Sequence, residues 1–273
     1  MQTRMNLTFF IVIVILILSA YCNTFYAPPI LDDYHSFIQD EKVYLKDLSF
    51  NNIISVSNTK LGWSRMIPMV SLALDHYFGK GDIFYFHLTN FFIHILCAIA
   101  GLILTYYLSY FYNEKQNELI IKFGPMFCAF WVVGLWTLNP IQTNAVTYIV
   151  QRMASIQTFF YIMSVFFYII GRNKSFNHSG KFKALIFYIL CLFSLICAFL
   201  SKQNSAMLPV MILMTEIWFF RPHFLQDCWS KVKTFNWIVW IFIIFFILIA
   251  GLINIDYFNK IVFYWHKNQK QNS

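Results

Sequence analysis

The sequence has few charged residues. Only 12% of its 273 residues are Asp, Glu, Lys or Arg, whereas 59% are hydrophobic and 21% are aromatic. Soluble globular domains contain about 25% charged residues, so this composition excludes an ordinary soluble domain. The apolar runs that fill the chain instead predict an all-α integral membrane protein with several transmembrane helices.

Neither a nucleic-acid site nor a cysteine metal site is indicated. The formal net charge is +8, but the basic residues form no cluster of the kind that binds phosphate backbones, and excess Lys and Arg are typical of cytoplasmic loops. The six cysteines lie mostly in apolar runs and show no CxxC or other ligand spacing. We interpret them as small core residues.

A cleavage site for a signal peptide is also missing. The apolar run 7–22 follows Arg4, but Tyr21 stands before Cys22 where a lipoprotein site requires a small residue, and no A-x-A site follows. The sequence therefore predicts an uncleaved first transmembrane helix, a signal anchor, over residues 1–22.

Six further apolar runs predict a bundle of transmembrane helices over residues 86–255. Each is near the roughly 20 residues that a bilayer requires. With the first helix they give about seven spans, followed by a polar tail at 256–273. The six runs are 86–109, 123–138, 145–170, 184–200, 206–220 and 237–254.

Residues 23–85 form a long loop of different composition, with seven acidic and five basic residues. The positions 66–78 have helical spacing, which predicts a helix lying on the membrane. Near the start of the loop stand Asp32 and Asp33, whose carboxylates repel each other. Such a pair is tolerated where solvent, a cation or a substrate proton relieves the repulsion, so it is either a base or metal ligand, or a polar helix cap.

The loop charges predict the orientation of the chain. Basic residues in the connections 110–122, 171–183 and 221–235 place these segments in the cytoplasm by the positive-inside rule. The loop 23–85, the segment 139–144 and the turn 201–204 then face the extracytoplasmic side together. The basic tail 256–273 also faces outward in this topology, against the rule.

Polar side chains interrupt the second predicted span. His87, Asn90 and His94 are spaced by three and four residues, so they share one face of a helix. Buried polar groups in lipid require partners. Two interpretations are open: hydrogen bonds between helices, or the lining of a polar cavity under the outer loop.

Five motifs in order carry a resemblance to a known family. They are Leu31-Asp32-Asp33-Tyr34, Arg65-Met66-Ile67-Pro68, Phe86-His87-x-x-Asn90-x-x-x-His94, the segment 138–146 with Gln151-Arg152, and Ser201-Lys202-Gln203 before Leu208-Pro209. Over residues 1–220 the chain resembles the polytopic GT-C glycosyltransferases. In particular it is similar to the transmembrane O-mannosyltransferase-like proteins with C-terminal tetratricopeptide repeats and to their bacterial relatives.

The resemblance implies a GT-C-like fold and transfer of a sugar, mannose or another hexose, from a polyprenyl-phosphate carrier to a hydroxyl on a protein or glycan. The bilayer, the lipid-linked donor and the acceptor are the implied partners, in a bacterial inner membrane or an ER-type membrane. Asp32 and Asp33 are the implied catalytic carboxylates. No cofactor is implied with certainty, and a divalent cation at Asp32 and Asp33 is left open. Four residues are implied in binding the donor phosphate or sugar: Arg65, Arg152, Lys202 and Gln203. Six residues are implied in a polar cavity: His87, Asn90, His94, Asn139, Gln142 and Asn144.

The chain departs from the family pattern at several positions. Eukaryotic members tend to have histidines at the places of Asn139 and Gln142, an acid at Asn144, and Lys-Glu in place of Lys202-Gln203. These changes concentrate the acid–base chemistry on the acidic pair. They leave open an inactive member, a scaffold or a transporter that handles lipid-linked sugar, although inverted repeats typical of transporters are not seen. The tail contains no 34-residue repeat, so we expect a shortened member of the group.

Overall fold

A computed structural model describes residues 2–59, 62–115, 124–175 and 181–220. In these ranges the chain is helical and contains no strand, which confirms the predicted all-α fold. Short 3-10 and π turns join the α-helices. The α-helices of the described ranges are α1 Gln2–Tyr21, α2 Phe50–Ser55, α3 Met66–Gly79, α4 Ile83–Lys115, α5 Pro125–Thr137, α6 Thr143–Thr147, α7 Arg152–Ser175, α8 Lys181–Phe199 and α9 Leu208–Thr215.

Among the described residues, three helical stretches are long and apolar enough to cross a membrane: Ile83–Tyr110, Ile149–Ser175 and Lys181–Phe199. Two further apolar helices, Thr8–Thr24 and Pro125–Thr137, are shorter than a full span. The predicted sixth run becomes an α-helix of eight residues, α9, followed by a π turn. The seventh run, the connection 221–235 and the tail 256–273 lie outside the described residues.

The apolar helices pack through two sets of contacts. In the first, α1, α4, α5 and α6 share a core of nine buried residues: Ile13, Ile17, Tyr21, Phe91, Ala98, Leu102, Ala129, Val133 and Val146. In the second, α7 and α8 lie antiparallel, since Ser164 Oγ donates to the Cys191 carbonyl at 3.1 Å, whereas Gly171, further along α7, faces the earlier residue Tyr188 of α8. A Cβ at Gly171 would meet the Tyr188 ring at 3.1 Å, so glycine permits this close approach.

The outward faces of these helices remain apolar. Leu192 and Phe193 in α8 are 57% and 59% exposed, and Ile15 in α1 is 55% exposed. An exposed apolar stripe on a helix whose backbone is internally hydrogen-bonded is what a lipid-facing surface requires.

The loop before α4 has a core of its own. The predicted helix over 66–78 forms as α3, and its Met69, Leu72 and Ala73 are fully buried. They pack against Phe37, Val43 and Val56 from the short turns, and against Phe86 and Ile149 at the ends of the long apolar helices. A tight turn, in which Lys80 and Gly81 have φ values of 53° and 82°, leads from α3 into α4. Residues 23–82 therefore form a small helical layer on one end of the bundle.

The predicted continuous span over 145–170 is wrong in one respect. Its first part forms the separate five-residue helix α6, and Tyr148 adopts an extended conformation with ψ of 110°. A 3-10 turn, Ile149–Gln151, then leads into α7. This break leaves backbone groups of residues 146–150 free to bind side chains from elsewhere in the fold.

Candidate functional site

Asp33 is buried and fixes the acidic turn to the start of α7. Its side chain is 1% exposed. One carboxylate oxygen accepts the Ile30 N–H at 3.0 Å, and the other accepts the Val150 N–H at 2.7 Å. Burial raises the pKa of the Asp33 carboxyl, and the backbone donors oppose that rise. Both oxygens are thus used inside the protein, as in a structural cap.

Asp32 has different surroundings, because its side chain is exposed. Its backbone N–H donates to the Tyr148 hydroxyl at 2.9 Å. Burial and the neighbouring carboxylates of Asp32 and Asp33 raise the pKa of the Tyr148 phenol. Of the two predicted catalytic carboxylates, Asp32 is therefore the one that a substrate can reach.

Arg152 is completely buried at the start of α7, with 0% of its side chain exposed. Its Nη2 forms an ion pair with Asp75 at 2.6 Å and donates to the Phe86 carbonyl at 2.7 Å. Its Nε donates to Asn90 Oδ1 at 2.6 Å, and its Nη1 donates to Ser71 Oγ at 3.3 Å. The prediction that Arg152 binds the donor phosphate therefore requires correction, because its side chain is completely buried and four of its five N–H groups already face partners inside the protein.

Asp75 is the acid that this arginine requires. It is one of the seven acidic residues of the loop 23–85, and its side chain is only 14% exposed. Thr89 Oγ1 donates to its second oxygen at 2.8 Å. Burial raises the pKa of the Asp75 carboxyl, and the Arg152 guanidinium opposes the rise. The pair joins α3 to α7.

The three polar residues of α4 form hydrogen bonds between elements. His87 Nε2 lies 2.9 Å from the Ala27 carbonyl, and His94 Nε2 lies 3.1 Å from the Thr137 carbonyl. Asn90 Nδ2 faces the carbonyls of residues 146, 148 and 149 at 3.3–3.5 Å. All three side chains are at most 2% exposed. Of the two open interpretations, the structure favours interhelical bonding and not a polar cavity.

Two cations lie close together beside this network. Lys202 Nζ is 3.5 Å from Gln151 Oε1, and Arg65 Nη1 is 3.3 Å from the sulfur of Met153. Burial lowers the pKa of the Lys202 ammonium, and the positive charge of Arg65 lowers it further by a smaller amount. Within the described ranges neither cation forms an ion pair with a carboxylate. We call Arg65 and Lys202 the cation pair.

The remaining predicted site residues lie apart from these groups. Asn139 is exposed, and its side chain accepts the Ile141 N–H at 3.0 Å as a cap. Gln142 is half-buried, whereas Asn144 and Gln203 are exposed. Within the described ranges none of the four hydrogen-bonds to the acidic pair or to the cation pair. Their predicted roles in a cavity or in donor binding rest on the resemblance alone.

One short segment, residues 148–153, connects most of the predicted site. We call it the junction. It contacts Asp32 through Tyr148, Asp33 through Val150, Lys202 through Gln151 and Arg65 through Met153. Reasoning from the sequence missed Tyr148 and Asp75. Arg152 itself was the available signal for Asp75, since an arginine in an apolar span requires a buried acid.

A divalent cation does not fit the acidic pair. Both oxygens of Asp33 accept backbone N–H groups, which leaves only the Asp32 carboxylate as a ligand. In the part of the chain that the structure describes, no three His, Cys, Asp or Glu side chains come together as a metal site.

Comparison of the chain with family models, curated proteins and solved structures gives no match. In the part of the chain that the structure describes, the fold is all-helical and includes three helices long and apolar enough to cross a membrane. At one end of these helices the chain carries an exposed carboxylate and a cation pair.

Proposed function

We propose that this chain is an integral membrane glycosyltransferase of the GT-C type. It transfers a sugar from a polyprenyl-phosphate carrier to a hydroxyl acceptor on the extracytoplasmic side of a bacterial inner membrane or an ER-type membrane. The observation that carries the proposal is the junction, which holds the acidic pair and the cation pair against consecutive residues. A base and an anion site together are what this reaction requires.

Each part of the reaction has a candidate residue. Asp32 removes the proton of the acceptor hydroxyl while the acceptor oxygen attacks the anomeric carbon. The bond from that carbon to the phosphate oxygen breaks, and the phosphate leaves with the electron pair. Arg65 and Lys202 stabilise the charge that develops on it. Asp33 positions the turn and takes no proton in this scheme.

The location of the site supports a donor on a lipid. The loop 23–82 and the junction lie at the ends of long apolar helices, where a polyprenyl chain remains in the bilayer while its phosphate reaches the interface. The shorter helices and the run 237–254 complete about seven spans in this proposal. The GT-C-like arrangement of those spans is part of it.

The experiment uses the purified protein in liposomes with radiolabelled polyprenyl-phosphate hexose and a pool of hydroxyl-bearing peptides and glycans. Wild type is expected to move label into water-soluble product. Asp32→Asn is expected to reduce the rate by about a hundredfold to ten-thousandfold, the usual loss for a general base. Lys202→Met is expected to weaken binding of polyprenyl phosphate, whereas Lys181→Met, at the other end of α8, leaves it unchanged. Transfer by Asp32→Asn at the wild-type rate would show that another group is the base.

A second candidate is a membrane protein that binds lipid-linked sugar without transferring it, as a scaffold or a transporter. The observation that favours it is the structural use of Asp33, which leaves one carboxylate where the resemblance implies two. The same assay separates the candidates. Tight binding of the donor, with a dependence on Lys202 and no labelled product with any acceptor, supports the binding protein and contradicts the enzyme.

A further inference from the structure

A cavity of about 330 Å³ lies beside the acidic turn. Its wall includes Tyr34, which follows Asp33 in the chain, and Ile149, which precedes the Val150 N–H that binds Asp33. The other lining residues come from the loop layer and the first turn of α4. The cavity therefore borders the proposed catalytic centre and lies at the end of the bundle, where the first residues of two long apolar stretches, Ile83, Phe86 and Ile149, contribute to its wall.

The lining combines aromatic rings with two polar groups. Phe37, Tyr44 and Phe86 contribute rings, and the His76 imidazole stacks on Tyr44 with centroids 4.2 Å apart and an interplanar angle of 24°. In the described ranges the ring nitrogens of His76 and the hydroxyl of Tyr34 have no hydrogen-bond partner in the protein. Burial lowers the pKa of His76, so its ring is neutral near pH 7 and offers one donor and one acceptor.

Gly81 keeps one imidazole nitrogen accessible. Its φ of 82° places it in the tight turn between α3 and α4, and a Cβ added there would lie 3.5 Å from His76 Nε2. A side chain at this position would therefore cover the nitrogen. With glycine, a ligand in the cavity is able to reach it.

We propose that this cavity binds a single pyranose ring, an inference that rests on the proposed function. A pyranose has a face of C–H groups, which packs on aromatic rings, and hydroxyls at its edge, which match an imidazole and a phenol. The cavity is at the small end of the range for ligand sites, which suits one ring, with the rest of any longer glycan outside it. A lipid chain would leave the two polar groups without partners.

The bound ring belongs to one of two molecules: it is either the hexose of the lipid-linked donor or the terminal sugar of a glycan acceptor. Both present the same chemistry to the cavity. They differ in what else is attached, since only the donor carries a phosphate for the cation pair. Binding measurements with and without that phosphate distinguish them.

The experiment measures saturation transfer by NMR from the detergent-solubilised full chain to methyl hexosides, with dissociation constants from titration. Wild type is expected to transfer saturation to the ring C–H protons of at least one hexoside. Ile83→Trp fills the cavity and is expected to weaken that binding by roughly tenfold or more, about 1.4 kcal/mol. His76→Phe keeps the stacking on Tyr44, removes the ring nitrogens and is expected to weaken it similarly.

Two matched variants control for the substitutions themselves. His35→Phe changes an exposed histidine that bonds Gln39 and does not line the cavity, and Leu48→Trp adds an indole at an exposed position of the same loop. Both are expected to bind hexosides like wild type. Absence of saturation transfer in wild type, or undiminished binding in both cavity variants, would overturn the proposal. Because the two cavity variants act by different means, misfolding of one leaves the other as the test.

The source of the ring follows from the lipid titrations. If polyprenyl-phosphate hexose binds more tightly than polyprenyl phosphate, and Ile83→Trp removes the difference, the cavity holds the donor sugar. Equal binding of the two lipids, with hexoside binding retained, assigns it to the acceptor. Hexoside binding without transfer in the liposome assay contradicts the enzyme and retains the cavity. Transfer by Ile83→Trp with unchanged KM for both substrates contradicts the cavity and retains the enzyme.

Discussion

Asp32 and Asp33 are neighbours whose carboxylates serve different purposes. Asp33 is buried against the Ile30 and Val150 N–H groups, whereas the Asp32 side chain faces solvent beside Tyr148. A single substitution in each therefore reports on a different property. Activity depends on Asp32 in the proposed mechanism, and the attachment of the turn to α7 depends on Asp33.

Asp33→Asn is expected to destabilise the protein by about 1–3 kcal/mol, because an amide leaves one buried backbone N–H without its acceptor. Asp32→Asn is the matched control and is expected to change stability by no more than about 0.5 kcal/mol, as exposed substitutions usually do. Thermal unfolding of both variants in the same detergent measures the difference. Equal losses of stability would contradict the structural role of Asp33.

The pH dependence of donor binding is expected to report on Lys202. Its pKa lies below the ordinary 10.5 because of burial and the charge of Arg65. The ammonium form binds phosphate, so affinity for polyprenyl phosphate should be full below the lowered pKa and fall as the pH rises through it. Arg65→Met removes the like charge, which should move this fall to higher pH while weakening binding overall. Lys202→Met should abolish the fall of affinity with rising pH. A profile that is identical in wild type and Lys202→Met would exclude Lys202 as the titrating group.

At the scale of elements, the break between α6 and α7 determines the site. The apolar run 145–170 has the composition of one continuous helix, and nothing local in it requires an interruption. The extended Tyr148 is stabilised from outside: Asn90 binds the carbonyls around it, and Asp33 binds the Val150 N–H. A pattern read along one segment does not contain these partners, so the sequence predicted the helix and missed its break.

The Arg152–Asp75 pair is expected to be the strongest single link between α3 and α7. Removing one member of a buried pair leaves an uncompensated charge and typically costs about 3–5 kcal/mol. Arg152→Met should therefore lower stability by this order, and Asp75→Asn should do the same. Glu41→Gln, an exposed acid of the same loop, serves as the control.

A double variant tests whether the two residues act as a pair. Asp75→Leu with Arg152→Met removes both charges together, so its loss of stability should be smaller than the sum of the single losses. Denaturant unfolding in detergent gives all the values. Strict additivity would show that the two charges do not interact in the folded state.

At the scale of the whole molecule, composition and the apolar runs were sufficient to predict the all-α class and the positions of the long helices. The described residues confirm the all-helical prediction, and α3, α4 and α8 follow the runs that predicted them. Part of the candidate site could also be predicted from the sequence, because the motifs containing Asp32, Arg65 and Lys202 meet at the junction. The role of Arg152 could not be predicted from the sequence. Whether an arginine faces a ligand or a buried acid depends on tertiary packing that its sequence neighbours do not encode.

The polar segments predicted to share one side of the membrane lie at one end of the helices. Asp33 binds Val150, Ile67 N–H donates to the Leu200 carbonyl at 3.3 Å, and Lys202 lies against Gln151. From that end α8, with 19 residues, extends about 28 Å to Lys181, close to the hydrocarbon thickness of a bilayer. Gln203 and Lys181 should therefore lie on opposite sides of the membrane.

Cysteine labelling with a membrane-impermeant maleimide measures this arrangement. In a background where the exposed Cys22 is replaced by serine, Asn51→Cys and Gln203→Cys should react from the extracytoplasmic side, since the positive-inside rule places the basic connections in the cytoplasm. Lys181→Cys should react only after the membrane is permeabilised. If Lys181→Cys and Gln203→Cys label from the same side, α8 does not span the bilayer. If all three positions label with the sides reversed, the helices cross as described but the site faces the cytoplasm, where an extracytoplasmic acceptor would not reach Asp32.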